Sequence, residues 1–430
     1  MISLNEDSVQ AHELETESKI PGFVTPQYEG KSISNIPDTI AKFLELRSDR
    51  PISNEAMYQI EGNVSKVVFL LLDGFGYDSI VKGVAAHGLP SVKSLLQDSI
   101  YFPLTSVFPS TTSTATTTLH SGLTPQEHGV IGYSMFFKDF GTIADTLRFT
   151  PLVGGRNSLF NMGLDPDSFI GSETIHEKLQ SQGIRSNLYI NKWIVNSGLS
   201  EITCRGANII PHLTAPDMFA QLRKNLIGSS KESFHFAYYA SPDTVAHARG
   251  PFTDGYAAEI ESLFQCLKSE ILEKIDAVIA KEIVLIISAD HGLCQIDDDN
   301  IIDIQRHPNL LDLLSIPPTG DSRCLFLHAR PGMEDAIRSY FETNFPRQFY
   351  IMTTKEAISA GLFGHGKTKK GLEEVIGELI AVPLDMIAVD NSLLDPREKS
   401  VPGRHGGLHR NEMIVPLIAK RLGNKSAKAK

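Results

Sequence analysis

The run K-V-V-F-L-L-L-D-G, residues 66–74, is apolar at every position from Val67 to Leu72 and closes on Asp73-Gly74. A half-buried strand would alternate apolar and polar residues. A continuous run of this length, ended by a turn pair, is the pattern of a parallel strand covered on both faces. E-I-V-L-I-I-S-A-D-H-G at 282–292 repeats the pattern and again ends in an acid, Asp290. S-F-H-F-A-Y-Y-A-S-P-D at 233–243 is a third case and ends at Asp243. Between these runs lie helical stretches, T-I-H-E-K-L-Q-S-Q-G at 174–183 and an amphipathic segment over about 256–279. Strands alternating with helices predict an α/β fold, a doubly wound, mostly parallel sheet with helices on both faces.

The chain is long for a single core at 430 residues, so insertions or a second unit are expected. Residues 1–63, with Pro21, Pro26, Pro37 and Pro51, read as a loosely ordered N-terminal leader with one short helix over 39–46. The core is expected over 64–320. From 321 to 391 the texture changes to strand, helix, strand, helix, which predicts a small α+β insertion or cap. The core resumes over 392–420, and 421–430 reads as a solvated basic tail.

With 41% apolar and 21% charged residues the composition is globular. The net charge of −11 disfavours partners such as nucleic acid polymers or anionic membranes, which select basic surfaces. Bound cations can reverse the field within a cleft, so a small phosphorylated substrate remains compatible with it. Cys204, Cys266, Cys294 and Cys324 are widely spaced, and neither a disulfide framework nor a cysteine zinc site is expected. The N-terminus has a polar, acidic start rather than a secretory pattern, and no apolar run reaches the roughly 20 residues of a membrane helix. A cytoplasmic location is the expectation; the oligomeric state is not encoded in any pattern here.

Open α/β sheets hold their sites at the carboxyl ends of the strands. One Asp after a strand is as often a helix cap or turn residue. Three of them, two with histidine partners, form a pattern. Asp243 and His247 stand four apart, on one face of a helix. Asp290 and His291 are adjacent before Gly292, and His405 sits in P-G-R-H-G-G with His409 nearby as its rival. Asp73, Asp243, His247, Asp290, His291 and His405 can supply two three-ligand sites for two divalent metal ions. Mixed Asp and His donors suit zinc, with manganese as the alternative. The hydroxyl-rich V-F-P-S-T-T-S-T-A-T-T-T-L-H-S-G-L-T-P-Q-E-H-G-V, 107–130, offers a nucleophile at the start of a helix, where free backbone N–H groups hold an anion. His120, His128, His235 and His307 are read as structural or exposed. Lys192 and Trp193 are candidates for the wall of a substrate cleft, though an ordinary surface loop fits them equally.

In their order, L-L-D-G, F-P-S-x-T, S-G-L-x-P-x-x-H-G, Y-x-x-x-P-D-x-x-x-H, S-x-D-H-G and H-G-G resemble the alkaline phosphatase superfamily, and within it the type I phosphodiesterase/nucleotide pyrophosphatase family. The resemblance spans about 67–418. It implies a bimetal site, usually zinc, and a covalent phospho-threonine or phospho-serine intermediate. It places Asp73, Asp290 and His291 on the metal that holds and activates the nucleophile, and Asp243, His247 and His405 on the other. The nucleophile position falls on Thr112, with Thr111 and Ser113 one register away. Two departures stand out. The family's P-N-H after the nucleophile is S-T-A here, and its phosphate-binding asparagine after H-G is replaced in H-G-V-I-G-Y, where Tyr133 is the substitute donor. The sulfatase signature C-x-P-S-R is absent and no arginine clamp is evident. The expected activity is hydrolysis of phosphodiester or pyrophosphate bonds, nucleotides included. The rivals are a phosphomonoesterase, phosphonate hydrolase or phosphomutase-like enzyme, and, in another class, a silent metal-stabilised interaction module.

Overall fold

The computed structural model describes residues 20–423 apart from 61, 63, 153–154, 156, 229–231 and 392–400, together with 13, 14, 17 and 18. Part of the expected leader, the beginning of the resumed core and most of the basic tail therefore lie outside the described residues.

Seven strands build the central sheet: β1 (Lys66–Leu72), β2 (Ile100–Thr105), β3 (Arg185–Asn191), β4 (Asn208–His212), β5 (Ser233–Tyr239), β6 (Ile283–Ser288) and β7 (Ile414–Arg421). Their order is β2-β7-β6-β1-β5-β3-β4. The five strands from β6 to β4 run parallel, and β7 lies antiparallel between β6 and β2. The sheet is thus mostly parallel, as the apolar runs require. Every residue of β1 and β6 is buried. The three strands that end in acids are neighbours: β1 lies between β5 and β6, with Leu72 opposite Tyr239 and Leu71 opposite Ser288. In-register parallel pairing brings their carboxyl ends to one edge, which converges three acids that are distant in sequence.

A second, antiparallel sheet also has seven strands. Across it run Phe349–Thr353, Leu379–Pro383, Cys324–Leu327, Thr319–Asp321, Ser134–Phe137, Thr142–Asp145 and Thr150–Pro151. The segment 321–391 contains the expected strand, helix, strand, helix, with helices at Glu334–Asn344 and Thr354–Ser359. Its sheet does not close on itself. It continues through the Gly320–Ser134 pair into strands that lie inside the expected core segment. An exposed sheet edge is completed by whatever strand packs beside it, and a partner nearly two hundred residues away leaves no trace in local pattern.

The expected leader is also tighter than its composition implied. Its helix is Ile36–Phe43, with Pro37 in the first turn, where a missing N–H costs nothing. Ile33, Ile36 and Ile40 are buried. Val24 N donates to Leu408 O at 2.9 Å, and Thr105 N to Lys31 O at 2.9 Å, so this segment braces both β2 and the His-Gly-Gly loop. Among the described residues, no helix is long and apolar enough to cross a membrane.

Candidate metal centre and nucleophile

Asp73 leaves the end of β1 and Gly74 turns the chain with φ 67°, where a Cβ would meet Asp243 Cα at 3.0 Å. That close approach sets Asp73 against the start of helix α2 (Ser241–Arg249), which carries Asp243 and His247 one turn apart. From β6, Asp290 Oδ1 accepts Gly74 N at 3.1 Å and His291 N at 2.9 Å. Its other oxygen, Oδ2, is buried without a hydrogen-bond partner among the described residues.

The three histidines share one arrangement. His247 Nδ1 lies 2.7 Å from Gly403 O, His291 Nδ1 3.0 Å from Gly292 O, and His405 Nδ1 3.0 Å from Ser110 O. A carbonyl oxygen only accepts, so each Nδ1 donates, and in the neutral ring each Nε2 is the nitrogen that offers a lone pair. His247 Nε2 faces Asp243 Oδ1 at 3.3 Å. His291 Nε2 faces Asp73 Oδ1 at 3.5 Å and Asp290 Oδ2 at 3.6 Å. The rings of His291 and His405 stack at 3.8 Å, with His247 and His405 at 5.1 Å. Two sets, Asp73–Asp290–His291 and Asp243–His291–His405, each place their donor atoms within 4.8 Å of one another.

Acceptors facing acceptors is a repulsive arrangement without a cation between them. Burial, reinforced by the charges of Asp290 and Asp243, pushes Asp73 well above the usual carboxylate range. Burial also raises Asp290, against the hydrogen bonds that favour its charge. His405 is driven well below the ordinary imidazole range, first by burial and then by His291 and His247, so its ring is neutral. Carboxyl groups that a bound cation would hold ionised, and imidazoles braced through Nδ1, are the donor set that divalent metal ions select, and these residues fit them.

Thr112 opens helix α1 (Thr112–Ser121) beside this cluster. Its Oγ1 is 3.1 Å from His291 Nε2 and 3.5 Å from Asp73 Oδ1. The neighbouring hydroxyls turn elsewhere. Thr111 is the extended residue before the helix and lies on the side of Asp321, and Ser113 Oγ donates to Gly132 O at 3.1 Å. His409 stands apart from the cluster: its Nδ1 accepts Asn411 N at 3.1 Å and caps the short helix Arg410–Met413. Tyr133 does not line the cavity beside Thr112; its hydroxyl is 3.5 Å from Asp145 Oδ2. Lys192 Nζ sits 4.4 Å over the ring of Trp193, and it is Trp193 that lines the cavity.

That cavity holds about 410 Å³. Asp73, Thr112 and Asp243 form its polar end, and Leu188, Ile190, Ile194 and Leu199 line it elsewhere. Two polar residues beside the cluster carry no assignment from the sequence. Tyr238, at the end of β5, donates its hydroxyl to Asp73 Oδ2. It is visible there as the first residue of Y-x-x-x-P-D, without a role. Asp321 comes from the second sheet. Gly406 passes so close that a Cβ there would meet Asp321 Cβ at 2.6 Å, and Asp321 Oδ2 has no hydrogen-bond partner among the described residues. Burial raises its carboxyl to about 6. No local signal marks it, since it reads as a turn residue between two strands.

The sequence pattern of the type I phosphodiesterase/nucleotide pyrophosphatase family matches residues 67–408. The chain belongs to this family. Its members are hydrolases of phosphoric ester bonds, and the matched segment includes all seven clustered residues. A fission yeast protein, Schizosaccharomyces pombe (strain 972 / ATCC 24843), described as an uncharacterized pyrophosphatase/phosphodiesterase, is 25% identical over 255 residues, which is 57% of this chain. The match spans 48% of that relative's own length. Murine ectonucleotide pyrophosphatase/phosphodiesterase 5 shares the fold at TM-score 0.62 and 17% identity, over 82% of this chain and 87% of its own. So does phosphonoacetate hydrolase from Sinorhizobium meliloti 1021, at TM-score 0.61 and 16% identity, over 84% and 90%. The fold is therefore that of the alkaline phosphatase superfamily.

Proposed function

We propose that this chain hydrolyses phosphodiester or pyrophosphate bonds of small substrates, nucleotides among them, with Thr112 as the nucleophile. The observation that carries the reading is Thr112 Oγ1 lying 3.1 Å from His291 Nε2, at the acidic end of a cavity whose wall mixes apolar and polar side chains. Two divalent ions, zinc in the first instance and manganese as the alternative, would be held by Asp73, Asp290 and His291, with Thr112, and by Asp243, His247 and His405. When bound they would supply Lewis acidity and lower the pKa of coordinated hydroxyls.

The chain's own part follows from its geometry. The first backbone N–H groups of α1 lack helical partners and would hold the nonbridging oxygens of a phosphate beside Thr112. Thr112 Oγ1 forms a bond to phosphorus, its proton passes to solvent, and the opposite P–O bond breaks with its electron pair on the leaving oxygen. Water then adds to phosphorus, the Thr112 Oγ1–P bond breaks, and the hydroxyl is restored. Two in-line displacements give net retention at phosphorus. Residues 321–391 would act as a cap, with Asp321 set beside the cluster at its first position. An inactive form of the murine relative is described in complex with AMP, which supports a nucleoside phosphate as a ligand class here. The four free thiols suit a cytoplasmic location.

The test compares bis-p-nitrophenyl phosphate with p-nitrophenyl phosphate before and after chelation. The expected result is a preference for the diester, loss of turnover on chelation and recovery with zinc or manganese. Turnover that survives complete metal removal would contradict the reading.

A further inference from the structure

Thr112, Thr116 and His120 recur every fourth residue along α1, and all three line the cavity. Eight residues of helix rise about 12 Å, so His120 lies that far along the axis from the nucleophile. The sequence marked His120 only as structural or exposed. In the fold it heads a buried chain: its Nδ1 is 2.8 Å from His176 Nε2, and His176 Nδ1 is 2.6 Å from Ser186 Oγ. His120 stacks on Phe236 at 4.5 Å and His176 on Phe234 at 6.0 Å, which fixes both ring planes.

The polarity of this chain follows from accounting for its protons. Ser186 is 3% exposed and its hydroxyl has no second hydrogen-bond partner among the described residues. If it accepted from His176, its own proton would be buried unpaired, which is the costlier defect. Ser186 therefore donates to His176 Nδ1, His176 Nε2–H donates to His120 Nδ1, and His120 carries its remaining proton on Nε2. Burial holds both rings neutral, His120 well below the ordinary range and His176 down to about 3.

We propose that His120 is a specificity-determining donor, its Nε2–H binding an uncharged acceptor on the organic group that the substrate phosphate carries. This deepens the phosphohydrolase reading and rests on it. The ligand class is a phosphate ester whose organic part extends along α1 from the reacting phosphorus toward His120 and ends in a ring nitrogen or carbonyl. A nucleobase has such an edge and an alkyl chain does not. His176 and Ser186 are positioning residues that set which nitrogen of His120 bears the proton.

The experiment measures binding rather than turnover. The metal-loaded Thr112→Ala protein is titrated calorimetrically with AMP and with phenyl phosphate, which has a ring but no acceptor. AMP should bind more tightly. Adding His120→Leu should weaken AMP by about tenfold or more and phenyl phosphate by less than about twofold, with His120→Gln restoring most of the loss. Ser186→Ala, which leaves the cavity wall intact, should narrow the ratio between the two ligands. Equal weakening of both ligands by His120→Leu, AMP binding no tighter than phenyl phosphate, or an unchanged ratio in His120→Leu would overturn the proposal. Failure of the underlying reading shows separately, as absent turnover in the unsubstituted protein.

Discussion

Thr112 Oγ1 and His291 Nε2 lie 3.1 Å apart, although 179 residues separate them in the chain. His291 Nδ1 is committed to Gly292 O, so the Thr112 hydroxyl meets the ring at Nε2. Substituting Thr112 by Ala removes the only atom of that side chain able to attack phosphorus. Turnover should fall by at least roughly 10³-fold, while metal content by elemental analysis stays near that of the parent. Thr111→Ala, which leaves the Thr112 hydroxyl in place, should retain measurable turnover. A Thr112→Ala protein with substantial activity would move the nucleophile elsewhere.

Tyr238 holds Asp73 through its hydroxyl. Tyr238→Phe keeps the ring and deletes the donor. A supporting hydrogen bond to a metal-ligating carboxylate is worth roughly 10- to 100-fold in metal affinity or activity. Competition against a chromogenic chelator should register a loss of that order. Unchanged affinity would mean that Asp73 is held well enough by the strand end alone.

Arg323 and Glu412 are fully buried and joined through Arg323 Nε, at 3.0 Å to each carboxylate oxygen. Glu412 also accepts Gly407 N at 3.0 Å and His409 N at 3.0 Å. It thereby ties the second sheet to the loop that carries His405. Glu412→Ala leaves a buried guanidinium short of its counter-charge and should cost about 3–5 kcal/mol, read by urea denaturation. A loss below about 1 kcal/mol would be the behaviour of an exposed pair and would contradict this role.

Acid should act through His176. Its folded pKa, about 3, lies below the ordinary value of 6.5 because burial penalises the charged ring. A depressed folded pKa means stability that is present above pH 6.5 and is lost as pH falls toward 3. One such histidine contributes a slope of about 1.4 kcal/mol per pH unit in that window. Urea denaturation at pH 7, 6 and 5 should show a shallower decline in His176→Gln than in the parent, by about that slope. Parallel declines in the two proteins would exclude His176 as the titrating group.

Much of the Asp–His cluster is legible in the amino-acid sequence because its residues are tied to local pattern. Asp73, Asp243 and Asp290 each follow an apolar run, and runs of that kind form buried parallel strands whose carboxyl ends meet. His247 is legible as one helical turn from Asp243, and His291 as the residue beside Asp290. Local pattern does not convey contact between distant segments. The strand pair Gly320–Ser134 joins the second sheet across the expected boundary at 320. Asp321 reaches the cluster only because Gly406 lets it approach, and His120 shows its role only through His176 and Ser186.

The amino-acid sequence by itself determined the sheet, since apolar runs buried on both faces have few other solutions, and it determined the acids and histidines gathered at the strand ends. Only the tertiary structure decided which hydroxyl of S-T-T-S-T stands against His291. A one-residue step along the start of α1 turns the side chain by about 100°, sending Ser113 to Gly132 and Thr112 to the Asp–His cluster.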